Sequence, residues 1–505
     1  MKKLAFIFLA TMFVFSSCKT NQSTNQAESI NFEKVQVDGG IISGINNEAD
    51  GLYIFKGIPF AAPPVGDLRW REPQPVVPWE GVRDATEFGA SAIQTRNYSY
   101  LPWTEEFMVQ NDISEDCLFL NVWTPAKTTS DNLAVMFFIH GGALTEGSGA
   151  IDVYNGVELA KKGIIVVTIN YRLGVLGFLA HPELTAESPN HVSGNYGFLD
   201  QVAALKWVKN NIKNFGGDPS RVTIVGQSAG ARSVSGLLAS PVAAGLFSGA
   251  ITQSGTSFTI GPMGSLTLEQ AEKQGLEFQK MKGANSLADL RAMSYEEIIA
   301  TDPDQPRTRY GGVIDGYYQP NELAAIYAAG QQNDVPFISG MNADETRYNG
   351  EKGDAFVALY GSDSEDAVKL AGQEQSRLNT YLWMEFRAET ANTKSFEYYF
   401  EQAIPWPEHP EYGAFHTGEM PYVFDNLKML DRPWTHVDRS VAESMSSYWV
   451  NFVKTGDPNG QGLPEWLPYS PDVKEVMRIG KDVGMMPIAE TPERFDFLKE
   501  QLLGE

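Results

Sequence analysis

Four short apolar runs lie along the middle of the chain. They occupy residues 134–139, 163–169 and 221–225, with a weaker run at 335–339, and Gly, Pro or Asn bounds them. Runs of this length and β-branched content predict strands that are buried on both faces of a sheet. Between them, residues 199–215 place apolar side chains three and four positions apart, which predicts an amphipathic helix. This alternation predicts an α/β fold in which helices cover a mostly parallel sheet.

The flanking segments follow other patterns. Residues 32–60 predict short strands joined by glycine turns, and residues 57–80, rich in Pro, Gly and Trp, predict an ordered surface loop. Residues 260–310 and 350–395 are more polar and helical, and we expect them to form a cap over the sheet. Because no repeat or strong linker follows residue 32, we predict a single domain over residues 32–505.

The first 31 residues predict export. A positively charged start, an apolar run over residues 4–15 and then small residues follow one another in the order of a secretory signal. The run of ~12 apolar residues is too short to span a bilayer as a helix. Residues 15–18 (FSSC) resemble a bacterial lipoprotein box, which implies a signal peptide over residues 1–17 and a lipid on Cys18. Residues 18–31 then form a flexible tether, and we expect a membrane-anchored lipoprotein, periplasmic or on the cell surface, or otherwise a secreted protein.

Composition narrows the classes of function. The 505 residues carry a formal net charge of −24, which argues against a nucleic-acid partner and against attraction to anionic lipid. A hydrophobic content of 43% is enough for a large core. Two cysteines exclude a disulfide scaffold, a Cys-rich zinc site and a four-cysteine iron–sulfur cluster, and six histidines leave little room for a His-rich metal site.

Residues 226–230 (GQSAG) match the G-x-S-x-G pattern of a nucleophile elbow. They lie between the predicted strand at 221–225 and a helix-like stretch at 231–239, which is the strand–turn–helix setting that this motif needs. The two glycines let strand and helix approach closely, and the sharp turn lifts the Ser228 hydroxyl above the sheet edge. The helix N-terminus beneath favours developing negative charge. The motif predicts Ser228 as a nucleophile; an ordinary serine in a helix-capping loop is the alternative.

Residues 140–144 (HGGAL) follow the first apolar run and predict an oxyanion hole. The tetrahedral intermediate of ester hydrolysis carries an oxyanion, and losing one backbone N–H that donates to it costs ~3 kcal/mol. Glycine lets the backbone approach the substrate, so Gly141 and Gly142 are predicted donors, together with Ala229 just after the nucleophile. A plain glycine turn is the alternative, but two such motifs at strand ends, in the expected order, argue against coincidence.

The base and the acid should follow the nucleophile along the chain. His409 lies between prolines and His436 lies near charged residues, whereas His416 lies in a glycine-flanked loop suited to placing a ring over a site. Asp344 and Glu345 follow the fourth predicted strand, at the edge of the sheet where ligands bind. The glycine-flanked loop predicts His416 as the base, but spacing alone does not choose between the two carboxylates.

Several longer segments resemble the type-B carboxylesterase family, which includes bacterial para-nitrobenzyl esterases, animal carboxylesterases and cholinesterases. The similar segments are residues 56–70, 115–123, 170–178, 194–201 and 214–230. The resemblance implies an α/β-hydrolase fold with a large, mostly parallel mixed sheet, helices on both faces and helical cap insertions. It also implies a serine carboxylic ester hydrolase that acts on a small-molecule ester and needs no metal and no cofactor.

The resemblance also assigns roles to individual residues. It implies Ser228 as nucleophile, His416 as base, Glu345 as acid, Gly141, Gly142 and Ala229 as oxyanion donors, and Glu419 as a buried acid that orders the histidine. An amidase with the same triad, or a non-catalytic cholinesterase-like binding protein, remains as an alternative.

Two departures from the family pattern change what is expected. Gln227 replaces an acid that the family often carries there, which argues against cholinesterase-like charge recognition. Ala92 replaces the usual partner of Cys117, so that disulfide is absent.

Overall fold

The fold is described from a computed structural model, which covers residues 34–96, 99–255, 265–301 and 310–504. The predicted signal peptide, the predicted lipidation site Cys18 and the predicted tether lie outside these residues. Within them, each helix is too short or too polar to cross a membrane.

Eighteen strands are present in the described part of the chain, and eleven of them form one sheet in the order β18-β17-β16-β15-β12-β11-β9-β10-β8-β4-β3. The strands are β1 (Val35–Val37), β2 (Gly40–Ser43), β3 (Ile45–Asn47), β4 (Leu52–Pro59), β5 (Val82–Asp84), β6 (Ser91–Ala92), β7 (Ile113–Ser114), β8 (Phe119–Thr124), β9 (Leu133–Ile139), β10 (Ile165–Ile169), β11 (Gly217–Gln227), β12 (Gly249–Gln253), β13 (Leu266–Thr267), β14 (Val313–Ile314), β15 (Phe337–Asn342), β16 (Ser395–Phe400), β17 (Glu475–Ile479) and β18 (Gly484–Pro487). From β17 to β10 neighbouring strands are parallel, and towards either edge they become antiparallel.

Helices cover both faces of this sheet. They are α1 (Val157–Lys161), α2 (Gly174–Phe178), α3 (Pro182–Glu187), α4 (Tyr196–Asn211), α5 (Ala229–Ala239), α6 (Leu268–Met281), α7 (Leu287–Ala292), α8 (Tyr295–Ile299), α9 (Leu323–Ala328), α10 (Asp354–Tyr360), α11 (Glu365–Ala388), α12 (Met420–Val423), α13 (His436–Thr455) and α14 (Pro492–Leu503). Helices α4 and α5 pack on one face of the central strands and α13 packs on the other. The predicted α/β architecture with a mostly parallel mixed sheet is therefore confirmed.

The four apolar runs became the strands β9, β10, β11 and β15 because their side chains are buried on both faces. On β9, Val135 and Phe137 belong to one hydrophobic core, whereas Met136 and Phe138 belong to the core on the opposite face. Alternate side chains point to opposite faces of a strand, so a continuous apolar run fits a sheet covered on both sides. The predicted helix at 199–215 corresponds to α4 and a 3-10 turn at Ile212–Phe215.

The segment at 350–395 contributes a helix that lies directly on the sheet. Its long helix α11 packs directly on β15 and β16 and carries Trp383 and Met384 into the core. A charged residue of α11 is buried together with a partner: Arg387 pairs with Asp334 at 3.0 Å. Burying a charge is tolerable when it is paired and hydrogen-bonded.

Cys117 is a free, buried cysteine that borders a small cavity together with Ala92. Burial raises the pKa of the Cys117 thiol well above its usual value. A thiol that stays protonated is a poor nucleophile. The thiol is therefore inert, and the absent disulfide follows from the alanine at 92.

Candidate active site

Ser228 lies in the sharp turn between the end of β11 and the start of α5. Its backbone has φ 57° and ψ −120°, a conformation that is strained for a residue with a side chain. The flanking glycines allow this turn: a Cβ on Gly226 would lie 2.2 Å from the Gly230 carbonyl oxygen. A Cβ on Gly230 would lie 2.0 Å from the carbonyl oxygen of Ile139 on β9. The crowding expected from the motif is present, and it fixes the direction of the Ser228 hydroxyl.

Three side chains from distant parts of the chain meet in a line at this turn. His416 Nε2 lies 2.8 Å from Ser228 Oγ. On the other side of the same ring, Nδ1 lies 2.5 Å from Glu345 Oε2. The Glu345 side chain is only 2% exposed, whereas the His416 ring is 33% exposed. A hydroxyl, an imidazole and a buried carboxylate in this order form the arrangement in which a serine can lose its proton.

The two adjacent carboxylates after β15 have different partners. Glu345 faces His416, and its second oxygen, Oε1, accepts the Asn342 N–H at 2.5 Å. Asp344 points away from the ring: it accepts the Ala414 N–H at 2.8 Å and pairs with Lys369 at 2.6 Å. The Asp344 N–H also donates to the Ala414 carbonyl. Asp344 therefore holds the loop that carries His416, while Glu345 contacts the imidazole itself.

The other two candidate histidines lie elsewhere. His409 Nδ1 lies 3.0 Å from a Glu411 carboxylate oxygen, and its ring packs beside Trp406 at the surface. His436 is exposed at the first residue of α13. Of these three histidines, His416 in the glycine-flanked loop is the one that the structure brings to Ser228.

A second buried carboxylate, Glu419, lies behind the histidine. Gln253 Nε2 donates to it at 3.2 Å and Asn342 Nδ2 donates to it at 2.5 Å. Burial, reinforced by the charge of Glu345, raises the pKa of Glu419 to about 7. This carboxyl therefore titrates near neutrality, next to the site and without contact to the serine.

The pKa of His416 is set by opposing effects. Burial lowers it, but the hydrogen bond from the ring to Glu345 and the negative charges of Glu345 and Glu419 outweigh burial. The net result is a pKa above the ordinary value of 6.5. A histidine with this pKa is a stronger base once it has lost its proton, and it needs a higher pH to do so.

The loop after β9 lies against the nucleophile. A Cβ on Gly141 would lie 2.9 Å from the Ser228 Cβ, so no side chain separates this backbone from the hydroxyl. Gly141 and Gly142 both line the cavity in front of Ser228. Ala229 is the first residue of α5, and the first N–H groups of a helix have no partner within it. The three N–H groups predicted as oxyanion donors thus belong to backbone beside Ser228.

His140 is a residue of this loop that the sequence left without a role. Its buried ring stacks on Tyr171 at 4.5 Å, and its Nδ1 donates to the Gly141 carbonyl at 2.9 Å. Burial lowers the pKa of His140 to about 4, so the ring is neutral. The ring orients the peptide between Gly141 and Gly142. Its place as the first residue of the HGGAL motif was the available signal.

A cavity of about 230 Å³ opens in front of Ser228. Its apolar walls include Trp103, Phe107, Met108, Ile151 and Tyr154. A concave, mostly apolar cavity with a few polar groups is typical of a site for a small organic molecule. In the described ranges, this site included, no three His, Cys, Asp or Glu side chains converge as metal ligands.

Comparisons with known proteins connect this geometry to a family. The sequence model of the carboxylesterase family matches residues 31–380 and 361–498. The chain is 37% identical over 486 residues to fumonisin B1 esterase from Sphingopyxis macrogoltabida, covering 88% of this chain and 86% of that protein. It is 34% identical over 478 residues to para-nitrobenzyl esterase from Bacillus subtilis, covering 88% and 94%.

Solved structures agree with the sequence comparison. A structure of PNB esterase superposes with a TM-score of 0.75 at 31% identity and covers 92% of this chain and 99% of that chain. The carboxylesterase EST55 of Geobacillus stearothermophilus superposes with a TM-score of 0.73 at 31% identity, covering 91% and 99%. The agreement spans almost the whole of both chains, and the residues that the family model matches include Ser228, Glu345 and His416.

Proposed function

The chain belongs to the carboxylesterase family and is a carboxylic ester hydrolase, and from this premise we propose that it works through an acyl-enzyme on Ser228. The single observation that carries the proposal is the line of Ser228, His416 and Glu345, with separations of 2.8 and 2.5 Å. Such a line converts a weakly acidic hydroxyl into a nucleophile.

In the first half of the proposed cycle, His416 accepts the Ser228 proton through Nε2 while Ser228 Oγ attacks the ester carbonyl carbon. The carbonyl oxygen gains negative charge and receives hydrogen bonds from the N–H groups of Gly141, Gly142 and Ala229. Glu345 holds Nδ1–H of the ring and stabilises the imidazolium that forms. His416 then donates its proton to the departing alcohol as the carbon–oxygen bond breaks.

In the second half, water takes the place of the alcohol. His416 removes a proton from the water, which attacks the acyl carbon, and the acid leaves as Ser228 recovers its proton. His140 and Asp344 do not contact the ester in this scheme. They position the oxyanion loop and the base loop, respectively. Glu419 contributes charge behind the imidazole.

We infer that the natural substrate is a small-molecule ester, as the esterase family implies. The similar proteins carry different substrate names, such as fumonisin B1 esterase and cocaine esterase, at 37% and 33% identity. Residues 256–264 and 302–309, which are outside the described part of the chain, interrupt the segment that joins β12 to β14. A panel of esters varied separately in acyl and alcohol parts is the direct way to define the substrate.

Covalent labelling tests the nucleophile. We expect a fluorophosphonate probe to modify the folded protein at Ser228, with the adduct mapped by peptide mass spectrometry, and excess aryl ester to slow the labelling. Heat-denatured protein is the control and should stay unlabelled. Ester hydrolysis by a protein that carries no adduct on Ser228 would overturn the assignment. A non-catalytic binding protein of the same fold would neither label nor turn over, and a matched ester and anilide pair separates esterase from amidase chemistry.

We also propose that the protein is exported and anchored through a lipid on Cys18, on the strength of residues 1–18. The full-length chain is expressed in a bacterial host and the solubilised cells are separated into a detergent phase and an aqueous phase. The parent chain should partition into the detergent phase, and the Cys18→Ser variant should appear in the aqueous phase. Esterase activity measures the distribution of both proteins. Equal partitioning of the variant and the parent chain into membranes would contradict the lipid anchor.

A further inference from the structure

Glu146 gives the cavity in front of Ser228 a negatively charged lining residue. Among the described residues that line it, Glu146 is the only carboxylate, and Lys and Arg do not occur. Apart from the catalytic-site residue His416, which can carry a proton, the remaining walls are apolar, aromatic or neutral polar side chains and glycine backbone. The whole chain carries a formal net charge of −24. A cleft lined by one sign of charge within low-dielectric walls concentrates ligands of the opposite sign.

Glu146 lies close to the oxyanion loop. The N–H groups of Thr145 and Glu146 both donate to the Gly142 carbonyl at 2.9 Å, so residues 142–146 form a tight turn. A Cβ on Gly142 would lie 3.0 Å from Glu146 Cγ. The carboxylate is therefore tethered to the same backbone that carries a predicted oxyanion donor, and its position relative to a bound ester is fixed by that turn.

Tyr100 and Trp103 complete the surroundings of this carboxylate. The Tyr100 hydroxyl donates to Glu146 Oε1 at 2.8 Å, which leaves Oε2 without a described partner. Trp103 lies 5.1 Å from the Tyr100 ring, and its Nε1 donates to Thr417, the residue after His416. An aromatic wall thus runs from the base towards the carboxylate. Aromatic faces attract cations, so wall and carboxylate favour the same kind of ligand.

We propose that this part of the cavity is a cation subsite built on Glu146 and not on position 227, where the neutral Gln227 argues against the cholinesterase-like arrangement, and that the enzyme prefers esters that carry a positively charged ammonium group over neutral esters of the same shape. Oε2 of Glu146 and the rings of Tyr100 and Trp103 contact the cation while the ester carbonyl faces Ser228. This inference rests on the proposed function, because it places the ester at the Ser228 nucleophile.

The same carboxylate has an opposite effect on neutral esters. Negative charge develops on the carbonyl oxygen in the transition state, and a nearby carboxylate repels it. An ammonium group on the substrate offsets this repulsion. Removing the carboxylate should therefore slow cationic esters and leave neutral esters as fast or faster, whereas mere structural damage would slow both.

The test uses pairs of esters of the same shape, in which one member has a positively charged quaternary nitrogen and the other has a neutral quaternary carbon at the same position. The first pair is 2-(trimethylammonio)ethyl acetate and 3,3-dimethylbutyl acetate, with the centre on the alcohol side. The second is the 4-nitrophenyl esters of 4-(trimethylammonio)butanoic acid and 5,5-dimethylhexanoic acid, with the centre on the acyl side. The measured quantity is the ratio of kcat/KM for the cationic ester to that for the neutral one.

We expect Glu146→Gln to lower this ratio roughly tenfold in at least one pair, the magnitude of a partly desolvated ion pair with a cation–π contact. High salt should lower the ratio in the parent enzyme and have little effect in the variant. Glu105→Gln removes the same charge from a nearby exposed residue outside the cavity lining and should leave the ratio within a factor of two. Tyr100→Phe keeps the carboxylate and should keep most of the preference.

The outcomes separate this inference from the proposed function. Hydrolysis that depends on Ser228, with the same ratio in the parent and in Glu146→Gln for both pairs, would overturn the cation subsite and leave the nucleophile intact. Equal losses on cationic and neutral esters would also overturn it, because they indicate a structural role. Turnover of both members of a pair that persists in Ser228→Ala would instead reject the proposed function.

Discussion

Replacing Ser228 with alanine is expected to lower kcat/KM for short-chain aryl esters by roughly 10⁵-fold, because no other group can form the acyl-enzyme. Removing the nucleophile of a comparable triad costs ~10⁶ in kcat, and oxyanion donors with substrate binding retain ~10³ over water. The variant should fold normally, since alanine removes one oxygen from a turn held by its neighbours. The measurement is steady-state hydrolysis of an acetate and a butyrate ester, with unfolding followed by circular dichroism.

The matched control for this variant is Ser248→Ala. Ser248 is an exposed residue just before β12, and its hydroxyl donates one long hydrogen bond to the Val222 carbonyl. It lies at the opposite end of the central strands from the turn that carries Ser228, so its activity should stay within twofold of the parent. Undiminished hydrolysis in Ser228→Ala would mean that the ester is attacked elsewhere, and the catalytic account given above would be wrong.

Replacing Glu345 with glutamine is expected to lower kcat by roughly 10³ to 10⁴-fold, the loss seen when the acid of a comparable triad becomes an amide. The amide N–H would face Nδ1 and favour the tautomer with the proton on Nε2, where His416 needs a lone pair to accept the Ser228 proton. Loss of the negative charge also lowers the pKa of His416, since the hydrogen bond and charge of Glu345 raise it.

The pH profile distinguishes these effects from general damage. In the parent enzyme, kcat/KM should fall as pH drops through a His416 pKa above 6.5, because the protonated ring cannot act as a base. In Glu345→Gln the residual activity should fall at a lower pH. Asp344→Asn is the matched neighbour: its side-chain carbonyl can still accept the Ala414 N–H, so we expect a loss within tenfold. A larger loss from Asp344→Asn than from Glu345→Gln would reverse the roles of the two carboxylates.

Local sequence motifs were enough to predict the nucleophile and the base. They were not enough to choose the acid. Glycines flank Ser228 and His416 because the backbone there is crowded, and such glycines can be recognised in a short stretch of sequence. Asp344 and Glu345 are adjacent carboxylates after the same strand, and their roles depend on contacts with Ala414 and Lys369 far along the chain. The family resemblance implied Glu345, and the geometry brings Glu345 to the imidazole.

The strands that the apolar pattern missed are short or interrupted. Strand β12 has five residues and ends in polar Thr252 and Gln253, both fully buried. Strand β16 carries Glu397 in the middle of an aromatic run, and this carboxyl is buried with its pKa raised well above the usual value by burial. Periodicity treats such residues as exposed, so it cannot identify strands in which tertiary packing buries polar side chains.

The buried carboxyl of Glu419 makes the free energy of unfolding depend on pH. Its pKa of about 7 in the folded protein exceeds the ordinary 4.5 of an unfolded chain, so the native state holds this proton more tightly. Proton linkage then gives a stabilising contribution that is complete below about pH 4.5 and is lost as the pH rises through 7. The neighbouring imidazole gains competence as a base in the same direction. A rise in pH from about 4.5 to 7 therefore weakens the scaffold while it brings the imidazole towards its basic form, and a neutral side chain at position 419 would uncouple these two responses.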